Sequence, residues 1–338
     1  MKKNENFEEI YETLTKQDFS VLEKSWQAAR HDGAYSKIIS WLAIFALYVS
    51  FPISLLLLIG YGPEMKGLFF AFIVSGIVVL LMLLDAKGKE KKVRQYRKMY
   101  LSEFNPAFLK LIEPDFSYDS NNGIPEKSYR MIQFVDYDKY EANGLISGKL
   151  SNGCSFRAGQ ITTRSTYEKQ DGSEKKEREE RIDYDGILYE IKLPFSIDSK
   201  LYLRSDKRLD HAGFLKKLAT PNPDMRLSKI KVQLDSEEFE KLFDVYAENK
   251  MLAMQIFTAD IMKDLEKLYT KTSNKFELTI DNDMLYICFA TGAIFRAPED
   301  LSVPVLDKET LAQYYNNFID TLKFNENFIK ILEESNVR

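Results

Sequence analysis

Apolar and polar positions along this chain fall into three regimes. Near the start, Phe7, Ile10 and Leu14 keep helical spacing, and Leu22, Trp26 and Ala29 continue it after Asp18. Most other positions up to residue 37 are polar, so residues 1–37 read as a cytoplasmic amphipathic arm. Two uncharged runs follow, Ile38 to Ile59 and Gly67 to Leu84, 22 and 18 residues long. At about 1.5 Å per helical residue they reach roughly 33 and 27 Å, against ~30 Å for a bilayer's hydrocarbon core. Joined by the Gly60-Tyr61-Gly62-Pro63 turn, they predict a transmembrane hairpin over 38–84. Helical spacing resumes at Val93, Tyr96, Tyr100 and Phe104 until Pro106 interrupts it, and a further turn holds Phe108, Leu111 and Ile112. Residues 85–113 therefore read as a basic juxtamembrane stalk that pairs with the N-terminal arm.

From about Ser128 the period changes to two. Ile187, Tyr189, Ile191 and Leu193 alternate with Leu188, Glu190 and Lys192. Shorter strands are predicted at 129–135, 142–150, 154–163 and 201–204, a meandering antiparallel sheet. The charged stretch from Glu168 to Asp183 reads as a solvated hairpin loop. After a strand at 229–234, Asp235 or Ser236 caps a short helix that buries Phe239, Leu242 and Phe243. A second helix starts at Thr258 with Ile261, Met262, Leu265, Leu268 and Tyr269 in one stripe. Phe276, Leu278 and Ile280 then alternate against Leu285, Ile287 and Phe289 across Asp281-Asn282-Asp283, which predicts a hairpin. A last helix covers 306–324. The fold class is α+β: a two-helix transmembrane hairpin with a helical stalk, then a cytoplasmic domain over 114–338 of mainly antiparallel sheet with packed helices. Its two-part division, if there is one, falls near 206–228.

Charge orients the chain. Lys87, Lys89, Lys91, Lys92, Arg94, Arg97 and Lys98 follow the second run, while the hairpin loop offers only Glu64 and Lys66. The basic side stays in the cytoplasm, so both termini are expected there, in a multi-pass protein of the cell membrane. These cations form a topology-setting and lipid-facing cluster, with membrane lipids as the first expected partner. Residues 86–98 carry net +6 and residues 99–338 net −8. An acidic domain repels phosphate, which argues against nucleic acid. Small residues recur every four positions in both runs, Ala46, Ser50 and Ser54, then Gly67, Ala71 and Ser75, a candidate helix-packing face. Neither run holds an ionisable side chain, which disfavours a transporter or channel.

The stretch LDSEEFEKLFDVYAENKMLAMQIFTADIMKDLEKL, followed by FELTI…MLYICF, resembles the C-terminal part of domain-of-unknown-function family 3137. The segment Glu238 to Tyr246 is its most recognisable piece, and the similarity covers about residues 20–300. The resemblance implies a bacterial protein with two membrane spans near the N-terminus and a cytoplasmic α+β region. Its residues are mostly packing positions, so it carries no active site and no established activity.

Chemistry is hard to find. Gly144-Leu-Ile-Ser-Gly148-Lys149 has three residues between its glycines where a phosphate loop needs four, and Leu150 where Ser or Thr would hold magnesium. Asp281-Asn282-Asp283 opens like a calcium loop, but Leu285, Tyr286 and Gly292 occupy liganding or turn positions. His31 and His211 are the two histidines and Cys154 and Cys288 the two cysteines, too few for zinc sites built from His and Cys. A Cys–His211 dyad is the weaker reading, because Cys288 lies in an apolar strand. Free thiols suit a reducing compartment. No catalytic residue, cofactor or metal ligand is assigned, and no enzyme activity is expected. The functional expectation is a membrane-anchored scaffold that binds an unidentified cytoplasmic or membrane protein, with homo-oligomerisation left open. The alternative is an enzyme acting on a lipid or membrane-bound substrate through a site assembled from distant residues.

Overall fold

One 29-residue strand, Glu177–Ser205, organises the sheet of this computed structural model. The structure describes residues 7–30, 87–132, 137–169, 177–205, 230–272, 276–292, 294–298 and 300–334. The chain forms two compact units, one of residues 1–14, 105–296 and 308–338, the other of 15–104 and 297–307.

The larger unit is an antiparallel sheet with helices, as the period-two pattern predicts. Its strands are β1 (Ser117–Asp119), β2 (Lys139–Lys149), β3 (Ser155–Lys169), β4 (Glu177–Ser205), β5 (Ile230–Val232), β6 (Phe243–Ala247) and β7 (Phe276–Phe289). They run in the order β1-β2-β3-β4-β6-β5, with β7 also paired to β4. β4 is long enough to serve three partners in turn: β3 as far as Ile191, β7 from Ile187 to Leu203, and β6 from Leu201 to Ser205. Between Lys192 and Ile197 on β4, β7 advances only from Met284 to Asn282. Pro194 falls in that irregular stretch, where its missing N–H leaves no ladder bond unmade.

Side chains alternate between two buried faces. On one, Tyr189, Phe276 and Phe289 meet the C-terminal helix, Lys308–Glu334, and Phe156 packs on Tyr189. Phe324 on that helix stands 4.9 Å from Phe276 and 5.2 Å from Phe289, ring to ring. The buried Tyr189 hydroxyl lies 2.7 Å from Thr321 Oγ1, and burial raises its pKa. On the other face, Tyr129, Tyr184, Tyr202 and Tyr246 cluster with Ile161, Leu188 and Cys288. α1 (Phe7–Thr15) buries Ile10 and Leu14 as its spacing requires, and its Glu8 accepts from Lys308 at 2.7 Å.

A polar clasp pins the segment after β7 to the sheet. Asp185 accepts from Gln160 Nε2 (3.1 Å), Thr162 Oγ1 (3.0 Å) and Arg296 Nη2 (3.0 Å). Gln160 reaches back with both ends of its amide, donating to the Gly292 carbonyl at 3.0 Å and accepting from the Ile294 N–H at 3.0 Å.

The smaller unit holds the helices α2 (residues 20–30) and α3 (residues 87–99). Leu22, Trp26, Ala29, Tyr96 and Tyr100 are buried, and the Phe19 and Phe104 rings stand 5.4 Å apart. Among the described residues no helix is long and apolar enough to cross a membrane. The two uncharged runs, 38–59 and 67–84, lie outside the described residues, as does the 206–228 division.

Four local expectations need correction. Of the strand expected at 129–135, the described residues 129–132 are not a strand: α5 (Glu126–Arg130) holds Tyr129, and its Pro125 N-cap starts a helix rather than a ladder. Phe243 belongs to β6, not to the helix α6 (Glu237–Glu240), which Ser236 caps by accepting from the Phe239 N–H at 3.1 Å. Residues 276–289 are one strand and not a hairpin. Asn282 takes φ +56°, so the chain kinks there and stays on β4. Pro106 does not end its helix. Residues Tyr100–Phe104 widen into a π-helical turn just before α4 (Asn105–Ile112), making room for a ring that would otherwise clash with the carbonyl four residues earlier.

Candidate functional site

Two places combine exposed or groove-lining polar groups with a packed support. The first is the basic helix at 87–99. Its buried side is set by Tyr96 and Tyr100, and at 100° per residue Lys87, Lys91, Arg94 and Lys98 fall together on the opposite side. All four are exposed, as are Lys92 and Arg97, while Lys89 is half-buried. Arg94 reaches Glu90 at 3.3 Å, both side chains mostly exposed. That pair is screened by water and leaves the stripe strongly positive. The seven cations the sequence singles out are therefore held on one described helix. The small residues Ala46, Ser50, Ser54, Gly67, Ala71 and Ser75 lie outside the described residues, as do His31 and His211.

The second is a groove of about 630 Å³ beside β1, lined by Glu113, Asp115, Phe116, Ser117, Ser147, Gly148, Lys149, Leu150, Ser151 and Ser155. α4 ends at Ile112 and delivers Glu113 to the groove floor, four residues after the fully buried Leu109 and on the same helical stripe. Phe116 is fixed by edge-on contacts to Phe156 (5.0 Å) and Phe318 (6.5 Å). The 150–154 turn closes through the Leu150 N–H on the Cys154 carbonyl at 2.9 Å, and the Ser151 N–H donates to Glu326 Oε1 on the C-terminal helix at 2.8 Å.

Glu113 is the unusual member. It keeps only 4% of its surface, and no described residue gives its carboxyl a hydrogen bond or ion pair. Loss of water raises its pKa, with Asp115 and Glu326 pushing the same way and the amino-terminal charge opposing. A buried carboxyl with a raised pKa favours the protonated form, so its drag on folding grows as pH climbs from the unfolded value through the folded one. Glu113→Gln should thus match or exceed the parent's thermal midpoint at pH 7.5, with the difference closing near pH 4. A parent that loses stability on acidification in step with the variant would contradict this.

The other sequence candidates are structural. Gly144 to Lys149 is part of β2, and Asp281 to Asp283 is the kink of β7. Cys154 and Cys288 are buried, and burial pushes the Cys154 thiol up, which makes it a poor nucleophile. Among the described residues no three His, Cys, Asp or Glu side chains gather as a metal site would need.

Residues 182–330 match a family model described as protein of unknown function (DUF3137). The matched segment covers a little under half of the chain. It contains most of β4, all of β5 to β7 and most of the C-terminal helix, so the family resemblance read from the segment 234–289 holds over the structural centre of the larger unit. The groove is lined from residues N-terminal to the match. No curated protein matches the chain. The crystal structure of the mycobacterial trehalose monomycolate transport factor A, TtfA, aligns with 67% of this chain and 92% of its own, at 7% identity and a TM-score of 0.29. A likeness that slight carries no argument.

Proposed function

We propose that this protein is a membrane-anchored interaction module: a two-span hairpin at 38–59 and 67–84 that holds an acidic α+β domain at the cytoplasmic face for a protein partner. The observation that carries the reading is the cationic stripe Lys87, Lys91, Arg94 and Lys98. It begins three residues after an uncharged run long enough to span. It also points away from the aromatic side that packs its helix. Such a surface suits the anionic cytoplasmic leaflet at up to ~1 kcal/mol per basic residue. The net −8 remainder is repelled by the same lipids, which leaves it for a basic or mixed protein surface.

The test is topological. In intact cells Tyr61→Cys should react with a membrane-impermeant thiol reagent, and Glu237→Cys, on an exposed residue of α6, should react only after lysis. Cys154 cannot serve as the internal reference, because its burial would silence it on either side. Labelling of Glu237→Cys in intact cells would overturn the orientation. Equal labelling of both sites before lysis would remove the membrane reading.

A further inference from the structure

The groove beside β1 has a lining that selects a ligand class. Burying a carboxylate without a partner is costly, and like charges nearby make it worse. Glu113 has lost most of its hydration, and Asp115 and Glu326 act on it as further negative charges, opposed by the amino-terminal charge. Four serines, Ser117, Ser147, Ser151 and Ser155, add polar rim. The Ser117 and Ser147 hydroxyls already bond each other at 2.9 Å. Phe116 and Leu150, both nearly fully buried, supply an apolar wall. An anion is repelled here, and a purely apolar ligand would leave the acid without a partner. Lys149 lines the rim but is exposed and makes no ion pair with Glu113 or Asp115.

We propose that this groove binds an organic cation, a guanidinium or primary ammonium on an aliphatic stem, with its head on the Glu113 carboxyl and its stem against Phe116 and Leu150. The head gives the Glu113 carboxyl a charge-assisted partner and offsets the negative charge that Asp115 and Glu326 add to it. Charge-assisted bonds of this kind are the strong ones. A free amine and an Arg or Lys side chain of a protein share this chemistry. β1 lies at one edge of the sheet, which lets an extended segment carry the side chain to the groove. The biological source rests on the interaction reading above, whereas the cation site itself does not.

The test uses the full chain in mild detergent and two probes, agmatine and the peptide Ser-Gly-Ser-Arg-Ser-Gly-Ser, by calorimetric titration. At pH 7.5 agmatine should bind, Glu113→Gln should weaken it about tenfold or more, and Lys149→Ala should leave it equal or tighter. Affinity for the parent should fall as pH drops and Glu113 takes up its proton. The charged groups acting on Glu113 are the amino terminus, Asp115 beside it and Glu326 from the C-terminal helix, and Lys149 from β2 lines the same groove. A peptide at least tenfold tighter than agmatine assigns the cation to a protein segment, and equal affinities assign it to a small amine. Both support the site. Absence of agmatine binding up to about 10 mM, or equal affinity in the parent and in a folded Glu113→Gln variant, overturns it. If that variant fails to melt cooperatively, a parent affinity that does not change between pH 7.5 and pH 4.5 overturns it instead. Because neither probe reports on membrane insertion, failure here leaves the thiol-labelling result standing, and the reverse also holds.

Discussion

Gly186→Ala should destabilise the larger unit by about 3 kcal/mol or more, among the largest effects of any single methyl group in this protein. A Cβ at residue 186 would press into the Phe289 carbonyl oxygen, and would lie 2.7 Å from the Tyr184 hydroxyl. The oxygen is backbone and cannot rotate away. It is also engaged, accepting from that same Tyr184 hydroxyl at 2.8 Å, so movement would break a buried hydrogen bond as well. Gly153→Ala is the control. Residue 153 sits in the β2–β3 turn at φ +87° with open space around a would-be Cβ, so only the left-handed backbone penalty of about 1–2 kcal/mol applies. Urea denaturation followed by tryptophan-independent far-ultraviolet dichroism compares the two. Equal midpoints would mean that β7 can leave β4 at Gly186 without loss.

Asp185→Ala should cost about 3 kcal/mol, because one carboxylate satisfies three donors at once. Its partner Arg296 is about four-fifths buried and Asp185 nearly the same, so the remaining charge is poorly hydrated once its counter-charge goes. Removing one member of such a pair is more harmful than removing both. The double variant Asp185→Ala with Arg296→Met should therefore recover part of the loss, which a denaturation series on the four members of the cycle can measure. Strict additivity of the two changes would show that the clasp contributes through packing and not through charge.

Much of the sheet was legible because alternation is a strong signal when one face of a strand is buried. Ile187, Tyr189 and Ile191 could be placed in a strand from spacing alone. The kinked β7 was not legible. Phe276-Leu278-Ile280 and Leu285-Ile287-Phe289 give the same alternation whether the chain turns back at Asp281-Asn282-Asp283 or only bends there, and Asn is at home in either left-handed geometry. What decides is β4, whose 29 residues offer β7 a partner along its whole length. The sequence also could not show β6, because Ser236, Glu237 and Glu238 announce a helix start and say nothing of its length; α6 stops after four residues. The basic stripe was legible as a charge run, and its supporting face as a helical period of tyrosines. Glu113 was missed. Its signal was present in the spacing from Leu109, which puts an acid where the apolar stripe calls for another aliphatic. Only the tertiary fold reveals that the position is covered.

The larger unit draws on the chain's beginning, its middle and its last thirty residues, and this sets an order of events during synthesis. Tyr189 and its hydrogen-bonding partner Thr321 are separated by 132 residues, an interval of roughly 7–26 s at a ribosome's usual pace. Throughout that interval Tyr189, and later Phe276 and Phe289, have no C-terminal helix to lie against. The nascent protein thus carries one oily sheet face uncovered until its final helix emerges, and a chain that stops short of Phe324 keeps that face bare.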